Sequence, residues 1–164
     1  MQVSTLRPLN SEDAERASHL VHASFYAHVA EDWEPAARET FSAETDRTRM
    51  RGLIEGAALV VGAFVGTELA GLALMSKPGV LRLFFVSPTF MRHGVGTQLW
   101  EACRLHIEAV FPEVQTIELN ATRCAVPFYR SVGFLPLSRE FVRAGCLATR
   151  MACWLPARRL SAEL

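Results

Sequence analysis

Two glycines in the run Met91-Arg92-His93-Gly94-Val95-Gly96-Thr97 are spaced for chemistry. Without Cβ atoms the backbone turns sharply there, and a ligand can come close to it. The residues that follow have helical periodicity, so the amides just after the bend are the unpaired donors of a first helical turn. With the positive end of the helix dipole they form a site for an anion such as a phosphate or pyrophosphate. The same two glycines also serve as a plain tight turn, and their spacing alone does not choose. Two nucleotide motifs are excluded. No Gly-Lys-Ser/Thr follows, and Leu99 stands where the dinucleotide fingerprint needs its third Gly or Ala. The preceding strand is also mid-chain, behind a hairpin, rather than at the start of a βαβ series.

Other reactive side chains form no set. His19, His22 and His28 fall on one helix, but His22 is out of register with both others, so no three-histidine site is suggested. Cys103, Cys124, Cys146 and Cys153 lack CxxC spacing and read as free thiols. Seventeen basic residues balance seventeen acidic ones without a basic block. Nothing therefore supports nucleic-acid binding or a membrane-surface role. No apolar run reaches the length of a membrane span. The start, MQVSTLRPLN, has no charged-then-apolar leader, which predicts a cytoplasmic protein. The length of 164 residues suits one domain, 1–164, with a real core.

The elements that must hold the glycine loop are readable in order. Val3 to Arg7 is a short strand ended by Pro8, and Asn10 or Ser11 caps a helix carrying Ala17, Leu20, Val21, Ser24 and Phe25. Glu31 to Glu34 is an acidic turn. Pro35 opens a second helix that runs, with a break near Ser42, to about Ile54, carrying Phe41 and Met50 inward. Arg47, Arg49 and Arg51 on it form either a solvated face or a substrate clamp. Leu59 to Val65, Leu69 to Ser76 and Leu81 to Val86 form a three-strand meander, turning at Gly66-Thr67 and Lys77-Pro78-Gly79. A helix from Val95 to about Phe111 follows the loop, then a strand from Val114 to Leu119. This crossover makes the flanking strands parallel neighbours or near neighbours. A short helix from about Cys124 to Val132 stops at Gly133. Strands at Phe134 to Leu137 and Leu147 to Leu155 close the chain around a polar loop, Ser138 to Ala144. The sum is a mixed α/β domain.

Two separated segments, FFVSPTFMRHGVGTQL and LNATRCAVPFYRSVGF, together resemble the GCN5-related N-acetyltransferases, the GNAT family. The first is similar to that family's Arg/Gln-x-x-Gly-x-Gly/Ala acetyl-CoA loop, the second to its Asn-x(4)-Ala-x-x-Phe-Tyr-x-x-x-Gly-Phe segment. The element order fits over the whole domain. The resemblance implies the GNAT fold: α/β, with a mixed central sheet of about six to seven strands flanked by about four helices. It implies that acetyl-CoA (coenzyme A) is the cofactor, with Met91, Arg92, His93, Gly94, Val95, Gly96 and Thr97 around its pyrophosphate. Backbone groups of Phe84, Phe85 and Val86 would pair with the pantetheine arm as with an added strand, and Asn120, Ala125 and Phe128 would flank it. Tyr129 would stand near the thioester sulfur as the acid for the leaving thiolate, unless it simply packs with its hydroxyl on a backbone carbonyl. Splayed strand amides would meet the oxyanion.

The chain departs from the pattern at two points. Met91 sits where relatives have Arg or Gln, which removes a polar side chain from the loop. Arg82 lies near where many relatives carry a carboxylate, and an arginine is no base at neutral pH. It either holds an acidic substrate or faces solvent. Glu118 becomes the nearest candidate base, or is a surface residue. Glu31, Asp32 and Glu34 are placed, by analogy, to recognise a cationic amine. The expected activity is acetyl-CoA-dependent transfer to a primary amine of a small molecule or of a peptide or protein. The alternative is a GNAT-fold acyl-CoA sensor or interaction module with little catalysis. No metal is called for, and the chain is read as a monomer or homodimer, with Trp154 either core or seam.

Overall fold

Turn chemistry sets the centre of the sheet. A computed structural model of the chain describes residues 4–156, and among these it has eight strands and five helices. They are β1 (Thr5–Pro8), α1 (Ala14–His28), α2 (Pro35–Glu44), α3 (Arg47–Gly56), β2 (Leu59–Val65), β3 (Glu68–Lys77), β4 (Val80–Val86), α4 (Val95–Val110), β5 (Thr116–Ala121), α5 (Val126–Ser131), β6 (Leu135–Pro136), β7 (Phe141–Arg143) and β8 (Cys146–Trp154). Gly66, at φ 61°, turns β2 into β3. Pro78 and Gly79, the latter at φ 82°, occupy the centre of the turn into β4, the places a type II turn reserves for them. The spatial order is β1-β2-β3-β4-β5-β8-β6, with β7 also on β8. Every pairing is antiparallel except β4 with β5.

Each face of the sheet has its own core. On one, Val95, Leu99, Trp100, Cys103 and Ile107 of α4 pack on Ala73, Leu81, Ile117, Leu119 and Met151. On the other, Ala17, Leu20 and Val21 of α1 and Met50 and Ile54 of α3 cover Phe64, Leu72, Leu74 and Leu83. Leu81 and Leu83 thus serve opposite faces although two residues apart, where a regular strand would put both on one. The reason is a bulge. Leu74 pairs with Leu83 and Met75 with Leu81, so Arg82 is the extra residue on β4. No helix among the described residues is long and apolar enough to cross a membrane.

The elements differ from the sequence reading in specific places. Pro8 is the last residue of β1 rather than its stop, and Val3 lies outside the described residues. The break in the second helical region comes at Thr45-Asp46, because the Asp46 carboxylate accepts the Arg49 amide at 2.8 Å and starts α3 afresh. Arg47, Arg49 and Arg51 are exposed. β5 begins at Thr116 and runs through Asn120 to Ala121. The loop Ser138–Ala144 contains β7, which pairs Phe141, Val142 and Arg143 with β8 through a turn with Ala144 at φ 50° and Gly145 at φ 77°. These account for the extra strand and helix.

One buried charge anchors α1. Asp13 is 4 % exposed. It accepts both guanidinium arms of Arg7 at 2.9 Å and the Asn10 amide at 3.0 Å, while Arg7 lies 4.2 Å over the Phe64 ring. The Arg7 hydrogen bonds hold the Asp13 carboxyl below its ordinary range, against the opposing effect of burial. A folded-state pKa below the unfolded one gives stability that is present above the unfolded value and lost as pH falls through the folded one. Asp13→Asn is expected to cost about 2 kcal/mol at neutral pH, discounted for the part-exposed guanidinium. The cost shrinks below about pH 4, as urea unfolding of both proteins at pH 7 and pH 3 would reveal.

Candidate active site

β4 and β5 start together and then part. Their recorded register is the single pair Val80 with Glu118, fastened by the Glu118 amide on the Gly79 carbonyl at 2.8 Å. Gly79 is required there on two counts, since a Cβ would also fall 2.7 Å from the Thr116 carbonyl oxygen. Beyond this point each strand pairs only on its outer edge, β4 with β3 and β5 with β8. The facing edges of Leu81–Val86 and Leu119–Ala121 are therefore open. Open strand edges carry backbone donors and acceptors that need partners, and an extended ligand supplies them in the way an added strand does. A cavity of about 110 Å³ occupies the gap. Its walls are Leu81, Arg82, Leu83, Phe84 and Phe85 from β4, Leu119 and Asn120 from β5, Thr122, Ala125 and Tyr129 beyond it, Phe25 of α1 and Phe41 of α2, and Val29 and Trp33 of the segment between those helices. A wider, open depression of about 770 Å³ lies at the far edge of the sheet by Arg7, Arg16 and Glu68. Both of its arginines already pair with Asp13.

The glycine loop lies between β4 and α4. Gly94 takes φ 84° and Arg92 φ 62°, left-handed values that cost a non-glycine residue about 1–2 kcal/mol. The first bond of α4 runs from the Gln98 amide to the Gly94 carbonyl at 3.1 Å. The amides of Val95, Gly96 and Thr97 thus precede the helical ladder at a dipole's positive end, with no acceptor among the described residues. Val95 is buried and anchors the turn, whereas Met91, Arg92, His93 and Thr97 are exposed. Gly96 has a second reason to be glycine. A Cβ on it would stand 3.2 Å and 3.3 Å from two ring carbons of Phe128, so the missing side chain lets α5 close on the helix start.

Tyr129 is 6 % exposed. Its ring is boxed by Phe84, Phe128 and Phe134, at centroid separations of 6.0, 5.5 and 5.3 Å. Phe134, fully buried, is backed in turn by Trp100 at 4.8 Å. Gly133 at φ 103° makes the tight bend that folds Phe134 back, and the Phe134 amide donates to the Tyr129 carbonyl at 2.9 Å. The hydroxyl makes no hydrogen bond to the described residues, and no fully buried side-chain oxygen among them lacks one. It therefore faces the cavity rather than a backbone carbonyl. Burial pushes the phenol well above its ordinary value, and the Cys124 and Cys103 thiols push the same way, so it keeps its proton. Cys103 itself is pushed up to about 12 by burial.

Of the other residues singled out in the sequence, Phe84 stacks on Phe128 at 5.5 Å, and Phe85 turns to the opposite face beside Phe41 at 6.1 Å. Val86 packs with the α4 core, and Ala125 donates to the Thr122 carbonyl at 3.0 Å. Asn120 is exposed and lines the cavity. Glu118 does not line it and binds Arg150 at 2.8 Å. The acidic turn after α1 is also engaged. Arg123 joins Asp32 at 3.3 Å to Glu140 at 2.6 Å, the Glu34 amide donates to Gly145, and the Trp33 indole donates to the Leu147 carbonyl at 3.3 Å. Those contacts tie the α1–α2 turn, the start of α5 and the β6–β8 region around the cavity mouth. Nothing in the sequence pattern signals this clamp, or the aromatic wall of Phe25, Trp33 and Phe41. Helical spacing signalled Phe25 and Phe41 only as inward-facing.

Comparison with known proteins identifies the family and the fold. Residues 26–155 match the acetyltransferase (GNAT) domain family. No curated protein matches the sequence. Among solved structures, a GCN5-related N-acetyltransferase (aminotransferase, class II) from Rhodopseudomonas palustris superposes with TM-score 0.82 at 23% identity, covering 94% of this chain and 98% of that one. The PaiA N-acetyltransferase of Thermoplasma acidophilum, in complex with coenzyme A, gives 0.77 at 16% identity over 93% and 99%. The ribosomal-protein-S18-alanine N-acetyltransferase of Escherichia coli gives 0.66 at 20% identity over 99% and 100%. With a family match spanning most of its length, and a sheet that opens where the motif residues gather, the chain belongs to the GNAT acetyltransferases.

Proposed function

We propose that the protein moves the acetyl group of acetyl-CoA directly to a primary amine of a small molecule or peptide. One observation carries the reading: the open edges of β4 and β5 lead from the amides of Val95, Gly96 and Thr97 to the hydroxyl of Tyr129, none of which has a hydrogen-bond partner among the described residues. Those groups fit the cofactor. The amides suit a diphosphate, the edge of Phe84–Val86 suits an amide-bearing arm, and Asn120, Ala125 and Phe128 line the other side. The structural likeness to a coenzyme A complex supports the same choice. Bound there, acetyl-CoA supplies a thioester whose C–S bond breaks as the amine's N–C bond forms, one proton leaving nitrogen and one reaching sulfur.

The chain's own residues contribute placement and protons. Holding the two reactants together in one narrow gap is a large share of the acceleration. Tyr129 holds a proton at its hydroxyl, where a departing thiolate is protonated. Glu118, which strand alternation puts on the same face of β5 as Asn120, takes the amine's proton through water, with Arg150 holding it in place. Thiol release from acetyl-CoA over a panel of amines tests the whole. Turnover is expected with at least one amine, together with saturable heat from CoA alone. Glu118→Gln is expected to slow turnover by about tenfold near neutral pH. Its deficit closes above the amine's own pKa, where no base is needed. An equal rate at all pH values removes Glu118 from the scheme, and neither heat nor thiol release overturns the proposal.

A further inference from the structure

The charges around the cavity are unevenly committed. Asp32 and Glu140 belong to Arg123, Glu118 belongs to Arg150, and among the described residues none that lines the cavity is Asp or Glu. Arg82 does line it, is exposed, and forms no ion pair or hydrogen bond with the described residues. It is also well placed to bind, because the bulge that carries it is fixed by pairs on either side, Leu81 with Met75 and Leu83 with Leu74. Across the gap stand two uncharged polar residues, Asn120 and Thr122. Phe25, Trp33 and Phe41 meet edge-on and tilted at 4.4 to 5.6 Å and form an apolar wall. The cavity, about 110 Å³, has roughly four waters' share of liquid volume, enough for one side-chain-sized body.

We propose that the acceptor is a small primary amine that also bears a carboxylate and an apolar body, as a free apolar amino acid does. Arg82 pairs with the carboxylate, and the Phe25–Trp33–Phe41 wall takes the body. This rests on the acetyl-transfer reading and narrows its substrate. A polycation finds no uncommitted carboxylate in the lining, whereas a carboxylate finds an uncommitted guanidinium. A guanidinium also offers the two-pronged geometry that a carboxylate matches.

The test uses the full chain with saturating acetyl-CoA and compares leucine and phenylalanine with isopentylamine, phenethylamine and spermidine. The amino acids are expected to exceed their decarboxylated counterparts by about tenfold in kcat/KM, the range of one charge-assisted contact in a part-open cleft. Arg82→Gln is expected to erase that gap by raising KM for phenylalanine about tenfold while leaving phenethylamine unchanged, and Arg82→Lys to recover part of it. Independently of turnover, N-acetylphenylalanine should give heat with the CoA-loaded protein that Arg82→Gln loses, while CoA heat is the same in both. Equal kcat/KM for phenylalanine and phenethylamine, a preference for spermidine, or normal CoA heat with no amino acid turned over would each overturn the acceptor class. The absence of both CoA heat and thiol release across the panel instead strikes the transfer reading beneath it.

Discussion

Tyr129→Phe lowers kcat for acetyl transfer by about two orders of magnitude, within the range attributed to a positioned general acid, and leaves coenzyme A affinity unchanged. The substitution deletes one oxygen and keeps the ring among Phe84, Phe128 and Phe134. That oxygen makes no hydrogen bond to the described residues, so its loss orphans nothing and stability should move by less than about 0.5 kcal/mol. A packing tyrosine bonded to a carbonyl would behave in the opposite way, losing stability and keeping its rate. Because burial holds the phenol protonated well above its usual range, any fall in rate between pH 8 and 10 belongs to another group. The pH profiles of kcat for the two proteins should therefore be parallel there. Rapid-quench acetyl transfer and urea unfolding on one preparation decide between the two roles.

Gly96→Val is expected to weaken acetyl-CoA binding by about a hundredfold. A Cβ at this position already falls 3.2 Å from Phe128, and valine adds two methyl groups. Either the ring or the start of α4 must move, at about 1–3 kcal/mol. If α4 moves, the amides of Val95, Gly96 and Thr97 no longer converge. Losing two hydrogen bonds to a charged group costs roughly 3 kcal/mol, equivalent to about two decades in Kd. Titration calorimetry reads the affinity, and the double variant with Phe128→Ala, read against Phe128→Ala alone because Phe128 itself flanks the arm, separates the causes. If the smaller ring space restores stability but not affinity, the glycine serves the ligand. If it restores both, the glycine serves only Phe128.

The parts of the fold visible in the sequence were those with a stereochemical requirement at a single residue. Gly66 and Pro78-Gly79 announced the meander, Pro35 a helix start and Gly133 the bend before Phe134, since each needs a backbone state that few other residues offer. The loop Gly94-Val95-Gly96 was visible for the same reason, although the packing of Phe128 on Gly96 was not. The bulge at Arg82 was hidden because Leu81 and Leu83 keep an apolar alternation while serving opposite faces. β7 has three residues and owes its existence to β8. The clamp of Arg123 on Asp32 spans 91 positions, and the wall of Phe25, Trp33 and Phe41 forms only when α1 and α2 fold over β4. Local patterns specify local geometry, whereas the acceptor side of this cleft is assembled from residues far apart in the chain.

The position of Trp33 has a practical consequence. The chain has three tryptophans. Trp100 is sealed under Phe134, Trp154 is open to water, and Trp33 stands half-buried in the cavity wall with its indole on the Leu147 carbonyl. Their emission should differ in wavelength and quencher access, with iodide silencing Trp154 first and Trp100 last. An incoming molecule changes the surroundings of Trp33 before any bond is made or broken. The protein thus carries an intrinsic optical probe of occupancy, and stopped-flow fluorescence can time arrival at the cleft without a label.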